Sequence, residues 1–80
     1  MKILFFARLR DSIGCAETSL EVPQPTQVHK VIKQLLNDHP DWQDAFDKPV
    51  LVAINQTMAE MDSKVSNEDE LAFFPPVTGG

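Results

Sequence analysis

The chain has 80 residues, 42% of them hydrophobic, with 7 Lys plus Arg against 12 Asp plus Glu and a formal net charge of -5. A chain of this size makes one domain that buries roughly 60–65% of its unfolded surface, so its core is thin. The acidic balance excludes the basic stripe that nucleic-acid recognition usually needs and suits a partner with a basic docking surface.

Met1-Lys2-Ile3-Leu4-Phe5-Phe6-Ala7 opens the chain and then meets Arg8 and Arg10. The apolar run is too short to span a bilayer and lacks a small-residue cleavage site, so a soluble, cytoplasmic protein without a membrane role is expected. Residues 2–7 are predicted to form a central strand, followed by a polar loop with Asp11, Ser12 and Gly14. Residues 16–22 alternate Thr18, Leu20 and Val22 against charged or small residues, which predicts a half-buried second strand in a hairpin with the first. Pro23 and Pro25 end it.

Thr26 offers an N-cap hydroxyl to the next element. Val28, Val31, Ile32, Leu35 and Leu36 then fall on one helical face, with Lys30, Lys33, Gln34, Asn37 and Asp38 opposite. Pro40 disfavours helical geometry at His39, so the helix is predicted to stop near Asp38. A turn or short helix from Asp41 to Phe46 is expected to cover the core edge with Trp42 and Phe46. Residues 49–54 read as a strand ending in a tight turn at Asn55-Gln56, and Thr57 to Met61 as a short strand. Residues 62–69 read as a polar crossing, and Glu70 to Phe74 as the last strand, which Pro75-Pro76 ends by removing two donors. The order β-β-α-β-(β)-β predicts an α+β fold of the β-grasp type. Its mixed sheet would have the first and last strands side by side and one main helix on one face.

Candidate chemistry is sparse. His29 and His39 lie at opposite ends of one helix without ligand partners at helical spacing, and surface or cap roles are expected for both, with no metal site. Cys15 is the only cysteine, which excludes an internal disulfide. Its two readings are a partly packed loop cysteine and a persulfide-carrying thiol activated by Arg8 and Arg10. The acidic residues Glu60, Asp62, Glu68, Asp69 and Glu70 form either a solvated rim or a docking patch for a basic partner. No Gly-rich phosphate loop occurs, so no cofactor is expected on this chain and any ATP would be bound by another protein.

One helix covers one sheet face, so apolar residues on both faces of a strand require a second explanation. Ile3, Phe5, Ala7, Leu71 and Phe73 suit the helix side; Leu4, Phe6 and Phe74, joined by Met58, are left on the open face. An exposed apolar patch of this kind marks an interaction surface. Beside it the sequence ends Phe74-Pro75-Pro76-Val77-Thr78-Gly79-Gly80. Paired glycines are thin and costly to order, which suits a terminus threaded through a narrow channel into another protein's active site. A terminal carboxylate, with a pKa of about 3.5, is ionised and a poor electrophile. It becomes reactive when activated, most simply as a mixed anhydride with AMP. The chain is accordingly divided into a domain at 1–74 and an extended tail at 75–80.

Glu70-Leu71-Ala72-Phe73-Phe74-Pro75-Pro76-Val77-Thr78-Gly79-Gly80, with Ala53-Ile54-Asn55-Gln56 before it, resembles the small, sulfur-carrying subunits of molybdopterin synthase. Lys2 to Ala7, Leu9-Arg10-Asp11 and Gly14 resemble the opening of that family. The resemblance implies a ubiquitin-like β-grasp fold and a subunit that is not catalytic alone. An adenylyltransferase of the ubiquitin-activating type, using ATP, would adenylate Gly80, and a sulfur donor protein would leave a thiocarboxylate. The tail, Pro75, Pro76, Val77, Thr78 and Gly79, would insert into the large synthase subunit, where sulfur passes to cyclic pyranopterin monophosphate to build the dithiolene. The resemblance also implies that Phe6, Met58 and Phe74 meet the large subunit, in an assembly of two small and two large subunits. Many relatives carry Gly in the turn before the last strand; here Asn67-Glu68 stands there, and Asn67 is expected to supply the positive φ. The alternatives are a sulfur carrier of the thiamine pathway and a ubiquitin-like protein modifier, which share the Gly-Gly ending.

Overall fold

The first apolar run forms an interior strand of a five-stranded sheet in the computed structural model, which describes residues 1–76. In chain order the described residues form β1 (Lys2–Phe5), α1 (Ala7–Ile13), β2 (Glu17–Ser19), β3 (Thr26–Gln27), α2 (Val28–Asp38), a 3-10 turn (Pro40–Trp42), α3 (Gln43–Asp47), β4 (Leu51–Ile54), β5 (Thr57–Ala59), β6 (Lys64–Val65) and β7 (Glu70–Phe74). The sheet order is β2-β1-β7-β4-β5. β1 and β7 are parallel neighbours, as expected, in register from Lys2↔Glu70 to Phe5↔Phe73. The other pairs are antiparallel, so the sheet is mixed.

Cross-strand partners share a face, and the register therefore sorts the side chains. Phe5, Phe73, Val52 and Ala59 form one row, and Thr18, Ile3, Leu71, Ile54 and Thr57 the next. Ile3, Phe5, Leu71 and Phe73 on this face are almost wholly buried. Val28, Val31 and Leu35 of α2 pack onto them, joined by Trp42. The rings interlock: Phe5 stacks on Phe73 at 6.3 Å and 19°, while Trp42 meets Phe5 and Phe46 meets Phe73 edge-on, each at 5.5 Å. Trp42 and Phe46 thus cover the core edge as the sequence suggests, and α2 has the predicted bounds.

Several local expectations change. The strand ends at Phe5, and the loop expected after it contains the helix α1, which hides Leu9 and Ile13 at i, i+4 spacing. Ala7, assigned by alternation to the face of Ile3 and Phe5, instead starts this helix at φ 54° and is exposed. Gly14 closes the helix at φ 89°, donating its N–H to the Arg10 carbonyl at 2.8 Å, a left-handed end that glycine takes without strain. β1 and β2 pair antiparallel as expected, but through this helical connection rather than a tight hairpin.

Thr26 does not cap α2. Its backbone pairs with Val65 in the small β3-β6 sheet, whose strand β6 lies inside the segment 62–69 read as a polar crossing. Gln27 holds the cap position without a side-chain bond to the helix's free backbone N–H groups. The free N–H groups of the first turn go to loop carbonyls instead: Val28 donates to Ser63 at 3.0 Å and His29 to Met61 at 2.9 Å. A helix end needs such partners, but their source is open.

Asn67 also departs from expectation, because among the described residues the non-glycine positions at positive φ are Ala7, Asn55 and Gln56. Asn55 and Gln56 form the two-residue turn between β4 and β5, closed by the Ile54↔Thr57 pair, with both φ values positive as such hairpins require. The Asn67 side chain acts as a surrogate strand: it accepts from Val22 N–H at 2.9 Å and donates to Val22 C=O at 2.8 Å.

The turn into β7 is held by Asp69. Its carboxylate accepts from the Ser66 backbone N–H at 2.8 Å and from Asn55 Nδ2 at 2.9 Å. These bonds, the Ser66 backbone bond foremost, hold its pKa below the ordinary carboxylate value. A depressed folded-state pKa means a contribution to stability that is complete above the unfolded value, about 3.9, and is lost as pH falls through the lower folded value. Asp69→Asn is expected to lower the melting temperature at neutral pH, with wild type and variant converging as pH falls below 4. A pH-independent difference in thermal denaturation would contradict this.

Candidate functional site

The sheet face opposite α2 carries the row Leu4, Ala72, Ala53 and Met58, with Glu17 at its end beside Leu4. The next row pairs Phe74 with Leu51. Phe6 has extended backbone and donates its N–H to the Phe73 carbonyl at 3.1 Å. It therefore continues the alternation of β1 on the side away from Phe5.

Exposure decides what this face is. Met58 is 59% exposed, Phe6 44% and Leu51 36%, while Leu4, Ala72 and Phe74 are half-buried. Side chains of this size left in water on neighbouring strands make a contiguous apolar patch, which in a small domain marks an interaction surface. The predicted set Phe6, Met58 and Phe74 lies on one face, and the register joins Leu51 to it. Sequence reasoning missed Leu51, although the alternation Leu51, Ala53 against Val52, Ile54 carries the signal.

The patch sits at one particular end of the sheet. Parallel β1 and β7 both run toward it, so β7 delivers Phe74, and then half-buried Pro75 and Pro76, beside Phe6. Proline fixes φ and donates no backbone bond, so the chain leaves the sheet at this point. The expected tail residues Val77, Thr78, Gly79 and the expected reacting residue Gly80 lie outside the described residues.

Other sequence candidates find structural places. His39 stacks on Trp42 with ring centres 3.9 Å apart and donates its backbone N–H to the Leu35 carbonyl at 2.8 Å, closing α2. His29 bonds the Gln27 side chain at 3.1 Å. Cys15 is half-buried and packs against the core, which matches the loop-cysteine reading. In the acidic stretch, Asp69 is held by its turn, and Glu70 exchanges backbone bonds with Asn55: its N–H goes to Asn55 Oδ1 at 2.9 Å and its carbonyl takes Asn55 N–H at 2.8 Å. Glu60, Asp62 and Glu68 are exposed. Among the described residues no group of three or more His, Cys, Asp or Glu is placed to hold a metal ion, and no helix is long and apolar enough to cross a membrane.

Comparison with known proteins places this arrangement. The ThiS family matches residues 3–80. The molybdopterin synthase sulfur carrier subunit of Haemophilus influenzae is 44% identical, over 100% of this chain and 99% of its own length. The crystal structure of SAMP1 from Haloferax volcanii superposes with TM-score 0.81 at 26% identity, covering 100% of this chain and 98% of that one. A subunit in the complex of subunits 1 and 2 of the molybdopterin-converting factor from Helicobacter pylori shares the fold at TM-score 0.67 and 16% identity, covering 99% and 96%. By sequence over its whole length and by its ubiquitin-like sheet and helix, the chain belongs to the ThiS family and, within it, to the molybdopterin synthase sulfur carrier subunits.

Proposed function

We propose that this chain is the sulfur-donating subunit of molybdopterin synthase and that its working group is the Gly80 carboxylate. The observation that carries the reading is the apolar face of Phe6, Leu51, Met58 and Phe74, set beside the point where β7 passes through Pro75 and Pro76 into the Gly-Gly segment. A carboxylate at neutral pH resists nucleophiles, so an adenylyltransferase first joins it to AMP, using ATP and releasing pyrophosphate. Sulfur from a donor protein, released at the sulfide level as hydrosulfide, attacks the acyl carbon; AMP leaves with the acyl C–O bond broken, and a thiocarboxylate remains. Pro75, Pro76, Val77, Thr78 and Gly79 then carry that group into the large subunit of the synthase. There its sulfur passes to cyclic pyranopterin monophosphate, and two such transfers build the dithiolene. The globular part, 1–74, acts as the handle that docks and aims the tail. The setting is cytoplasmic, and the assembly pairs two small with two large subunits.

Intact mass spectrometry after incubation with the activating enzyme, ATP and a sulfur source tests this directly. The expected result is a mass gain equal to sulfur minus oxygen, localised to the C-terminal peptide. Lysine-linked adducts without that gain would replace the carrier reading with that of a protein modifier. The docking face has its own test. Phe74→Asp is expected to weaken large-subunit binding by about 2 kcal/mol, roughly thirtyfold, with the circular dichroism of the free chain unchanged. Unchanged affinity in titration calorimetry would remove Phe74 from the interface.

A further inference from the structure

The chain holds three methionines, Met1, Met58 and Met61, and the fold treats them differently. Met1 is buried at 7% exposure, with its amine bonded to the Leu20 carbonyl. Met61 is half-buried against the core, and its carbonyl accepts the His29 N–H at 2.9 Å. Met58, at 59%, is the most exposed large apolar side chain among the described residues.

Its place in the sheet accounts for this. β5 is a terminal strand, paired only with β4, and Met58 lies opposite Ala53 there. The row Leu4, Ala72, Ala53 and Met58 ends on it, so one flank has no neighbour in the sheet. A small side chain on the other flank leaves the long, unbranched thioether without a clamp. An exposed thioether is the form that peroxides oxidise, and the product is polar where the reactant was apolar. Leu4, Ala72, Ala53 and Leu51, its companions on this face, carry no side-chain donor that could meet an added oxygen.

We propose that Met58 is a reversible oxidation site, through which peroxide uncouples the open face from its partner protein. The inference rests on the docking role given to that face above. A hydroperoxide transfers one oxygen to the thioether: an S–O bond forms, the O–O bond breaks, and sulfur gives up two electrons. Hydrogen peroxide itself leaves as water. In the free chain, solvent satisfies the sulfoxide oxygen. On docking it would be buried among apolar groups, and a buried acceptor without a donor is costly. Sulfoxide reductases reverse the step, the oxygen leaving as water while a dithiol becomes a disulfide. Oxidation therefore acts on the free carrier, in the interval when no partner covers the face.

The test treats the full chain with dilute hydrogen peroxide and follows each methionine by peptide mass. Met58 is expected to gain oxygen faster than Met61 and roughly tenfold faster than Met1, and the large subunit of the synthase is expected to slow that gain. The oxidised chain, with unchanged circular dichroism, is expected to bind the large subunit about tenfold more weakly in calorimetry. Treatment with dithiothreitol and two sulfoxide reductases, one for each epimer, restores the affinity. Met58→Leu is expected to bring the ratio of affinities before and after peroxide to one, whatever its own starting affinity, with Cys15 and the other methionines still present. Three results overturn the proposal alone: equal oxidation rates at the three methionines, an oxidised chain that binds as tightly as the untreated one, or a peroxide response that persists in Met58→Leu. An untreated chain that fails to bind, or a Met58 oxidised equally fast inside the complex, would strike the docking face and this inference with it.

Discussion

Deleting Gly80 is expected to abolish thiocarboxylate formation and reduce molybdopterin synthesis by the reconstituted enzymes to background, with the melting transition unchanged. Among the described residues the buried core lies between Met1 and Phe73, and the melting transition is expected to depend on that core. The deletion still leaves a terminal carboxylate, now on Gly79, so the chemistry is not removed; it is displaced. One residue of extended chain is about 3.5 Å, whereas misplacing a reacting group by about 1 Å can cost a hundredfold. Appending one residue after Gly80 should fail equally, since the acyl carbon would then belong to a different residue. Activity retained by either variant, measured as sulfur incorporated per chain, would place the reacting group elsewhere.

The second large effect falls on stability. Phe73→Ala is expected to cost about 3–5 kcal/mol, a large share of the roughly 5–15 kcal/mol that holds a small domain together. Phe73 is fully buried on the central strand β7, stacked on Phe5 and met edge-on by Phe46. Its removal leaves a cavity between two aromatic rings, Phe5 and Phe46, and denaturant titration should show a lower midpoint or no cooperative transition. The contrast with Phe74 is the informative part: adjacent residues of one type, on opposite faces of one strand, are expected to divide folding from docking. A Phe73→Ala variant as stable as wild type would mean that the ring packing contributes little.

What the sequence made legible follows from where each signal resides. α2 was readable because five apolar residues repeat at helical spacing and Pro40 marks its end. The adjacency of β1 and β7 followed from two short apolar runs in a β-grasp order, and the alternation in each assigned its faces. α1 was not readable, because a seven-residue helix with only Leu9 and Ile13 on its apolar side falls below any periodic signal. Thr26 carried a capping signature, but the N–H groups it was expected to serve are met by carbonyls from Met61 and Ser63, a tertiary contact without a local trace. Asn67 was read by its backbone tolerance, whereas its role comes from a side chain that reaches Val22 across 45 residues. The open apolar face was legible in Phe6, Met58 and Phe74 because large apolar side chains on the uncovered face of a sheet are anomalous. Leu51 on β4 became visible only through its pairing with Phe74.

The central position of β7 has a consequence for how the protein is made. β7 is the last strand of the sheet to be synthesised, yet β1 and β4 meet only through it. The two halves β2-β1 and β4-β5 stay as separate hairpin-like pairs, marginal in water, until the ribosome has passed Phe74. Completion of the sheet thus waits for β7 and must close a contact between strands far apart in the sequence, a topology that slows folding. A truncated nascent chain presents no completed sheet to any partner, so possession of the fold certifies that synthesis has reached the segment that leads to Gly80.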